Sequence, residues 1–232
     1  MITVGGLQKS TLIDFPGRVA ATIFLCKCNF RCPWCYSREL VLPEEIKKHP
    51  KISEEELFSF LKERQGLLEG IVVCGGEPTV NQDLPEFLKK IKDMGYQIKI
   101  DTNGSNPERL SQLIKDKLVD YVAMDIKSAK EDYESAVRAE VDVNKIEESI
   151  RLLKNSGVDY EFRTTVVPGI HTKEKIIALA RWISPAKKYY LQNFRAQKTI
   201  DPEFEKIKPY HIEYLEDIKK DIDSFFEVCE VR

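Results

Sequence analysis

The chain has no apolar run long enough to span a bilayer. Its longest, near Val19–Cys26, falls far short of the roughly 20 residues a membrane helix needs. It does not open with a basic head and an apolar stretch: Met1-Ile-Thr-Val-Gly-Gly carries neither, so no secretion leader is expected. Charge of one sign is not in excess either, since 36 Lys and Arg meet 38 Asp and Glu and leave −2. So small a net charge gives no global field to favour nucleic acid or an anionic membrane. Short-solenoid repeats and low-complexity tracts are also missing. These absences lead to the expectation of a cytoplasmic protein with no membrane and no nucleic-acid partner. At 232 residues it is long enough for one domain with its own core.

Cysteine is present but unevenly spread. Cys26, Cys28, Cys32 and Cys35 fall within ten residues, whereas Cys74 and Cys229 stand alone. A chain of this length is stabilised by burial and needs no disulfide framework, so local clustering points to metal or redox chemistry. Cys28, Cys32 and Cys35 have the spacing C-x₃-C-x₂-C. Thiolates suit iron–sulfur clusters and zinc alike. A structural zinc site takes four closed ligands, usually from paired C-x₂-C knuckles, and only one such pair exists here. Three cysteines on a [4Fe–4S] cluster would leave one iron open. Cys26 could in principle close that site, but strand alternation puts it with Thr22 and Phe24, and it reads as a small core residue, as do Cys74 and Cys229.

Periodicity gives a strand-then-helix order. Expected strands are Val19–Cys26, Gly70–Cys74, Gln97–Asp101, Val119–Asp125, Tyr160–Val167 and Lys188–Asn193. A capping box, Ser53-Glu-Glu-Glu56, opens a helix carrying Leu57, Phe60 and Leu61. Further helices are expected over Asp83–Met94, Pro107–Lys115, parts of Glu131–Asn155, Lys173–Ile183 and Pro209–Phe225. Glu44–Glu56 reads as a solvated excursion. Six β/α units build a parallel sheet. Each strand ends in polar or glycine-rich residues: the cysteine cluster, Cys74-Gly-Gly-Glu-Pro78, Asp101-Thr-Asn-Gly104, Asp125-Ile-Lys127, Val167-Pro-Gly169 after Arg163, and Gln192-Asn-Phe194. Chemistry at the C-terminal strand ends is the habit of β/α barrels. The expected class is α/β, a partial (β/α)6 TIM-type barrel. Residues 1–232 form one domain: an N-terminal extension (1–18), a barrel core (19–194), and a C-terminal loop, helix and tail (195–232).

The cysteine loop, the Gly75-Gly76-Glu77-Pro78 loop and the six β/α units together resemble the radical S-adenosylmethionine (SAM) superfamily. More narrowly, three stretches are similar to glycyl radical enzyme activating proteins. They are Gly6-Leu-Gln-Lys-Ser-Thr-Leu-Ile-Asp-Phe-Pro-Gly17, Cys28-Asn-Phe-Arg-Cys-Pro-Trp-Cys35 and Arg163-Thr-Thr-Val-Val-Pro-Gly169. Within that group the anaerobic ribonucleotide reductase activating proteins match best, with pyruvate formate-lyase activating enzymes nearby. The resemblance runs from Gly6 to Phe194.

The resemblance implies that Cys28, Cys32 and Cys35 bind a [4Fe–4S] cluster and act as the catalytic and metal residues. The open iron takes SAM by its amino and carboxylate groups, both cofactors lying at the C-terminal strand ends. A reduced cluster splits SAM into methionine and a 5′-deoxyadenosyl radical, which removes hydrogen from a glycine of a partner enzyme. The electron would come from a donor such as flavodoxin or ferredoxin. Other hypotheses are a radical SAM enzyme acting on a small molecule, of the deazapurine type, and a non-catalytic iron–sulfur or zinc protein. Only Cys229 lies beyond Cys74, so a second cluster is not expected, and the lack of an appended domain suits a macromolecular substrate.

The same resemblance assigns SAM contacts, each beside a plainer reading. Gly75, Gly76 and Glu77 would meet the SAM amino group, or form an ordinary turn. Asp101, Thr102 and Asn103 would meet its ribose and methionine parts, or cap the next helix; Asp101, Thr102 and Asp125 could gather a monovalent cation. Asp125 and Lys127 match an Asp-x-Lys at the fourth strand end, or pair with each other. Arg163 would hold the SAM carboxylate, or pair with Asp125 or Glu161. Trp34 would lie against the adenine, or shield the cluster from water. His171 and His211 read as capping or surface residues, and Ala196–Pro209 as a segment that could touch a partner. Lys27, Cys26 and Tyr36-Ser37 depart from the family, which often has glycine, a polar residue and His-Asn there.

Overall fold

The computed structural model describes residues 2–232; Met1, the first residue of the expected N-terminal extension, lies outside them. The chain runs β1 (Val4–Thr11), β2 (Ala20–Leu25), α1 (Arg38–Val41), α2 (Pro43–Lys48), α3 (Glu54–Glu63), β3 (Gly70–Gly75), α4 (Leu84–Asp93) and β4 (Gln97–Thr102). It continues with α5 (Pro107–Lys115), β5 (Tyr121–Asp125), α6 (Tyr133–Val137), α7 (Val143–Asn155), β6 (Asp159–Val166), α8 (Lys173–Ile183), β7 (Ala186–Asn193), α9 (Ile212–Ile222) and β8 (Phe226–Val231). Strand order in the sheet follows chain order from β1 to β8, so the sheet is open, with β1 and β8 at its edges. The expected α/β class with a parallel-dominated sheet is what forms. Contacts divide the chain into two compact units. One takes the chain up to Asn29, Glu39–Thr102 and Asn106–Val122, and the other takes Phe30–Arg38, Asn103–Ser105 and Ala123–Arg232.

In the first unit β2, β3 and β4 pair in parallel, Ala20 with Gly70 and Gly70 with Gln97. Ala20, Ala21, Ile23 and Leu25 on β2, and Ile71 and Val73 on β3, have no exposure at all. Burial on both faces is why these strands read as continuous apolar runs. α4 buries Leu84, Phe87, Leu88 and Ile91, a stripe at helical spacing. α3 begins where the capping box placed it, with the Ser53 hydroxyl accepting from the Glu56 N–H at 3.0 Å. Phe15, from the loop between β1 and β2, is buried beside Ala20, Val72 and Tyr121, and its ring faces Tyr121 at 6.1 Å between centroids. The adjacent Leu12 and Ile13 are exposed.

In the second unit β6, β7 and β8 pair in parallel, Phe162 with Tyr189 and Ala186 with Phe226. α7 buries Ile146, Ile150 and Leu153, and α8 buries Ile176, Leu179, Ala180 and Ile183. The Thr172 hydroxyl caps α8 by accepting from the Lys175 N–H at 3.4 Å.

Two strands and two short helices lie outside the expected set. β1 pairs antiparallel with β2, and β8 adds to β7 from the expected tail. Both are half-buried edge strands without an apolar run. The expected solvated excursion contains α2, which begins at Pro43 and has Glu44 and Glu45 in its first turn. Proline and acidic residues favour such a start. Among the described residues no helix is long and apolar enough to cross a membrane.

Candidate active site

In the first unit the site residues cluster where β2 and β3 end. The Gly76 N–H donates to the Leu25 carbonyl at 2.8 Å, and the Glu77 N–H to the Lys27 carbonyl at 2.7 Å. A Cβ on Gly75 would lie 2.3 Å from the Leu25 oxygen, and one on Gly76 would lie 2.0 Å from the Lys27 oxygen. The missing side chains therefore make room first for the chain itself. That contact fixes the three residues leading into Cys28. Gly75 also takes φ +116°, a conformation that favours glycine.

Lys27 has φ +80°, in the left-handed region that a lysine occupies only with strain. Its N–H donates to the Leu40 carbonyl at 2.7 Å, so both ends of this residue are held. The family's glycine at this position now has a backbone reason. Cys26 has no exposure, and a Cβ on Gly5 would lie 2.8 Å from its sulfur. Burial pushes its thiol pKa up. Cys229 on β8 is also buried, with its thiol pushed up to about 12 by desolvation, while Cys74 is half-buried.

Glu77 is 1% exposed. One carboxylate oxygen accepts from the Thr79 N–H at 3.0 Å, the Thr79 hydroxyl at 2.5 Å and the Thr102 hydroxyl at 2.8 Å. Glu77 thus ties the end of β3 to the end of β4. Asp101 pairs with Lys99, a buried lysine on β4. The Asn106 side chain accepts from the Arg109 N–H at 3.1 Å and caps α5.

In the second unit Asn103 makes a local turn, its side-chain oxygen accepting from the Ser105 N–H at 3.0 Å. Asp125 joins two cations. Arg163 Nε donates to Oδ1 at 2.9 Å and Lys127 Nζ to Oδ2 at 3.0 Å. Burial alone would raise the Asp125 pKa, but Arg163 and Lys127 outweigh it and hold the carboxyl well below the usual range. Burial would likewise lower Lys127, yet the Asp125 carboxylate beside it raises it instead. Glu161 lies 3.9 Å from Arg163 and 3.6 Å from Arg232. Both structural pairings expected for Asp125 are present.

The cysteine loop of this unit holds Cys32, 7% exposed, and Cys35, half-buried. The Cys35 N–H donates to the Cys32 carbonyl at 3.0 Å. Trp34 is buried, its ring edge-on to His171 at 5.9 Å. His171 is a correction to the surface reading, because it is 1% exposed. Its Nδ1 accepts from the Val167 N–H at 3.0 Å, which leaves Nε2 to donate to the Lys127 carbonyl at 2.9 Å. Desolvation pushes its pKa down to about 4, so it is a neutral strut between the ends of β5 and β6. No sequence partner marked it, since its partners are backbone groups. His211 is exposed, as expected.

Among the described residues, no three or more His, Cys, Asp and Glu side chains are drawn together as a metal-holding group. The ligand reading of Cys28, Cys32 and Cys35 rests on spacing and donor chemistry. That chemistry fits a thiolate-bound cluster, since cysteine sulfurs are the ligands such clusters take.

The radical SAM superfamily model matches residues 22–183. The chain belongs to the radical SAM superfamily. It is therefore an enzyme whose cofactors are a [4Fe–4S] cluster and SAM. Over 88% of its length it is 37% identical to a protein of Methanocaldococcus jannaschii named "Putative glycyl-radical enzyme activating enzyme", of which it covers 85%. The radical SAM fold is shared with SuiB of Streptococcus suis, at a TM-score of 0.64 and 14% identity, over 88% of this chain and 47% of SuiB. It is shared also with a domain of a pyruvate-formate lyase-activating enzyme of Bacteroides vulgatus, at a TM-score of 0.54 and 16% identity, over 68% and 98%.

Two measurements check this geometry. Lys27→Gly removes the left-handed strain and is expected to raise stability by about 0.5–1 kcal/mol in urea unfolding; an unchanged or lowered midpoint contradicts it. The folded pKa of His171, about 4, lies below its ordinary 6.5. Between those values the unfolded chain binds the proton first, so the stability from a neutral His171 is full above pH 6.5 and is lost as pH falls through 4. From pH 7 to 4 the native chain is expected to lose about 3 kcal/mol more than His171→Gln. Equal losses would show that His171 does not resist protonation.

Proposed function

We propose that this radical SAM enzyme installs a glycyl radical on a partner enzyme such as an anaerobic ribonucleotide reductase. The observation that carries the reading is the 37% identity, over 88% of the chain, to a protein named as a glycyl-radical enzyme activating enzyme. In this reading residues 1–232 act as a single radical SAM domain. Cys28, Cys32 and Cys35 hold the cluster, and a small redox protein of the flavodoxin or ferredoxin type supplies the electron.

When bound, the cluster and SAM supply a 5′-deoxyadenosyl radical through one-electron cleavage of the sulfonium. The chain's part is to hold and shield. Arg163 and Lys127, the cations gathered on Asp125, suit the carboxylate of SAM. Gly75, Gly76 and Glu77 present the backbone to its amino group, and Thr102 and Asn103 serve the ribose and methionine portion. Trp34, buried and braced by His171, offers an apolar ring for the adenine or a cover against water.

Anaerobic reconstitution with iron and sulfide, then dithionite and SAM, tests the chemistry by chromatography of 5′-deoxyadenosine. Product from the native chain and none from Cys32→Ala is expected. Addition of the anaerobic ribonucleotide reductase of the same organism is then expected to give a glycyl radical doublet in electron paramagnetic resonance. No 5′-deoxyadenosine would sink the whole reading. Turnover with small metabolites but no protein radical would sink the activating role alone.

A further inference from the structure

The segment Ala196–Pro209, read from its charge and proline content as one that could touch a partner, reaches back to the cysteine loop. The Ile200 N–H donates to the Cys35 carbonyl at 2.9 Å, and the Asp201 N–H to the Pro33 carbonyl at 3.0 Å. From the other side, the Arg31 N–H donates to the Val137 carbonyl at 2.9 Å. Arg138 follows Val137, and its guanidinium donates to Asp201 Oδ2 at 2.7 Å. One ion pair therefore joins the two segments that grip the loop between Arg31 and Cys35.

Asp201 is occupied at every polar position that the strap needs. Its Oδ1 accepts from the Glu203 N–H at 3.1 Å, capping the turn Pro202–Lys206, and its carbonyl accepts from the Thr199 hydroxyl at 2.7 Å. Thr199 has no exposure, so the strap is anchored in the unit at one end. The Arg138 guanidinium also lies 5.9 Å from the Phe204 ring centroid, over the same turn.

We propose that residues Thr199–Asp201 form a strap that positions the cysteine loop, with the Arg138–Asp201 ion pair as its fastening. The inference rests on the reading of Cys32 and Cys35 as cluster ligands, because its function is to keep those two sulfurs in register. An irregular loop must find partners for its backbone groups, and here those of Arg31, Pro33 and Cys35 are met from outside the loop as well as within it. Arg138 and Asp201 act through the backbone of the loop and are positioning residues. Nothing in their chemistry requires contact with a cofactor.

The test uses the full chain with Arg138→Ala, Asp201→Ala and Arg138→Lys. Hydrogen exchange of the amides between Arg31 and Tyr36 is measured before reconstitution. The rate of iron loss to a chelator and the resonance spectrum of the reduced cluster are measured after it. The two alanine variants are expected to speed exchange and iron loss by about fivefold, the factor matching the upper range of a surface ion pair. They are also expected to broaden the resonance lines, while Arg138→Lys restores native behaviour. Native exchange rates in both alanine variants would overturn the strap, whether or not a cluster is taken up. Faster exchange with native iron loss and an unchanged spectrum would overturn its role in holding the ligands. A native chain that takes up no cluster would instead refute the cluster reading, leaving the exchange arm to judge the strap.

Discussion

Close approach of two backbones is the constraint on which the candidate site depends. Where β3 ends, Gly75 and Gly76 lie so near Leu25 and Lys27 that neither glycine could carry a Cβ without collision. Two hydrogen bonds, Gly76 to Leu25 and Glu77 to Lys27, use that approach to lock the exit of β2. Cys28 follows at once. The price of this fit is visible in Lys27, which is held left-handed between bonds at both its N–H and its carbonyl. Glu77 then carries the constraint to β4 through Thr102.

In the second unit charge takes over from sterics. Asp125 is held by Arg163 and Lys127, and His171 bonds the Lys127 carbonyl while bracing Trp34. A neutral histidine suits this buried place, since an imidazolium would be desolvated and would add a further cation near Lys175 and Lys127. The cysteine loop is tied down by backbone donors from Ile200 and Asp201. Ligand-bearing loops need such support, because a cluster or cofactor is held to useful precision only when its ligands are themselves held.

β2, β3 and β5 were legible because parallel strands buried on both faces leave continuous apolar runs, and β4, β6 and β7 from the strand-then-helix order that these set. β1 was not, since Gly5, Gly6, Gln8, Lys9 and Ser10 have neither alternation nor an apolar run, and it is ordered by pairing with β2. β8 depends in the same way on β7. At the site, the residue types and their strand ends could be read directly, and the family followed from them. Apart from the pairing of Asp125 with Lys127 and Arg163, what each side chain touches could not. Glu77 reaching Thr102, His171 bonding the Lys127 carbonyl, and Ile200 and Asp201 reaching the cysteine loop are tertiary pairings between distant parts of the chain.

The most direct test of the central constraint is cluster loading in Gly76→Ala beside Gly95→Ala, scored by bound iron and sulfide and by visible thiolate-to-iron absorption. A Cβ at Gly95, which unlike Gly76 has a positive φ, meets nothing within 4 Å, so that variant carries backbone strain without collision. If the fit between β3 and β2 sets the cysteine loop, Gly95→Ala loads like the native chain, while Gly76→Ala keeps its native circular dichroism and loses most of its cluster. Native loading in Gly76→Ala would contradict the account.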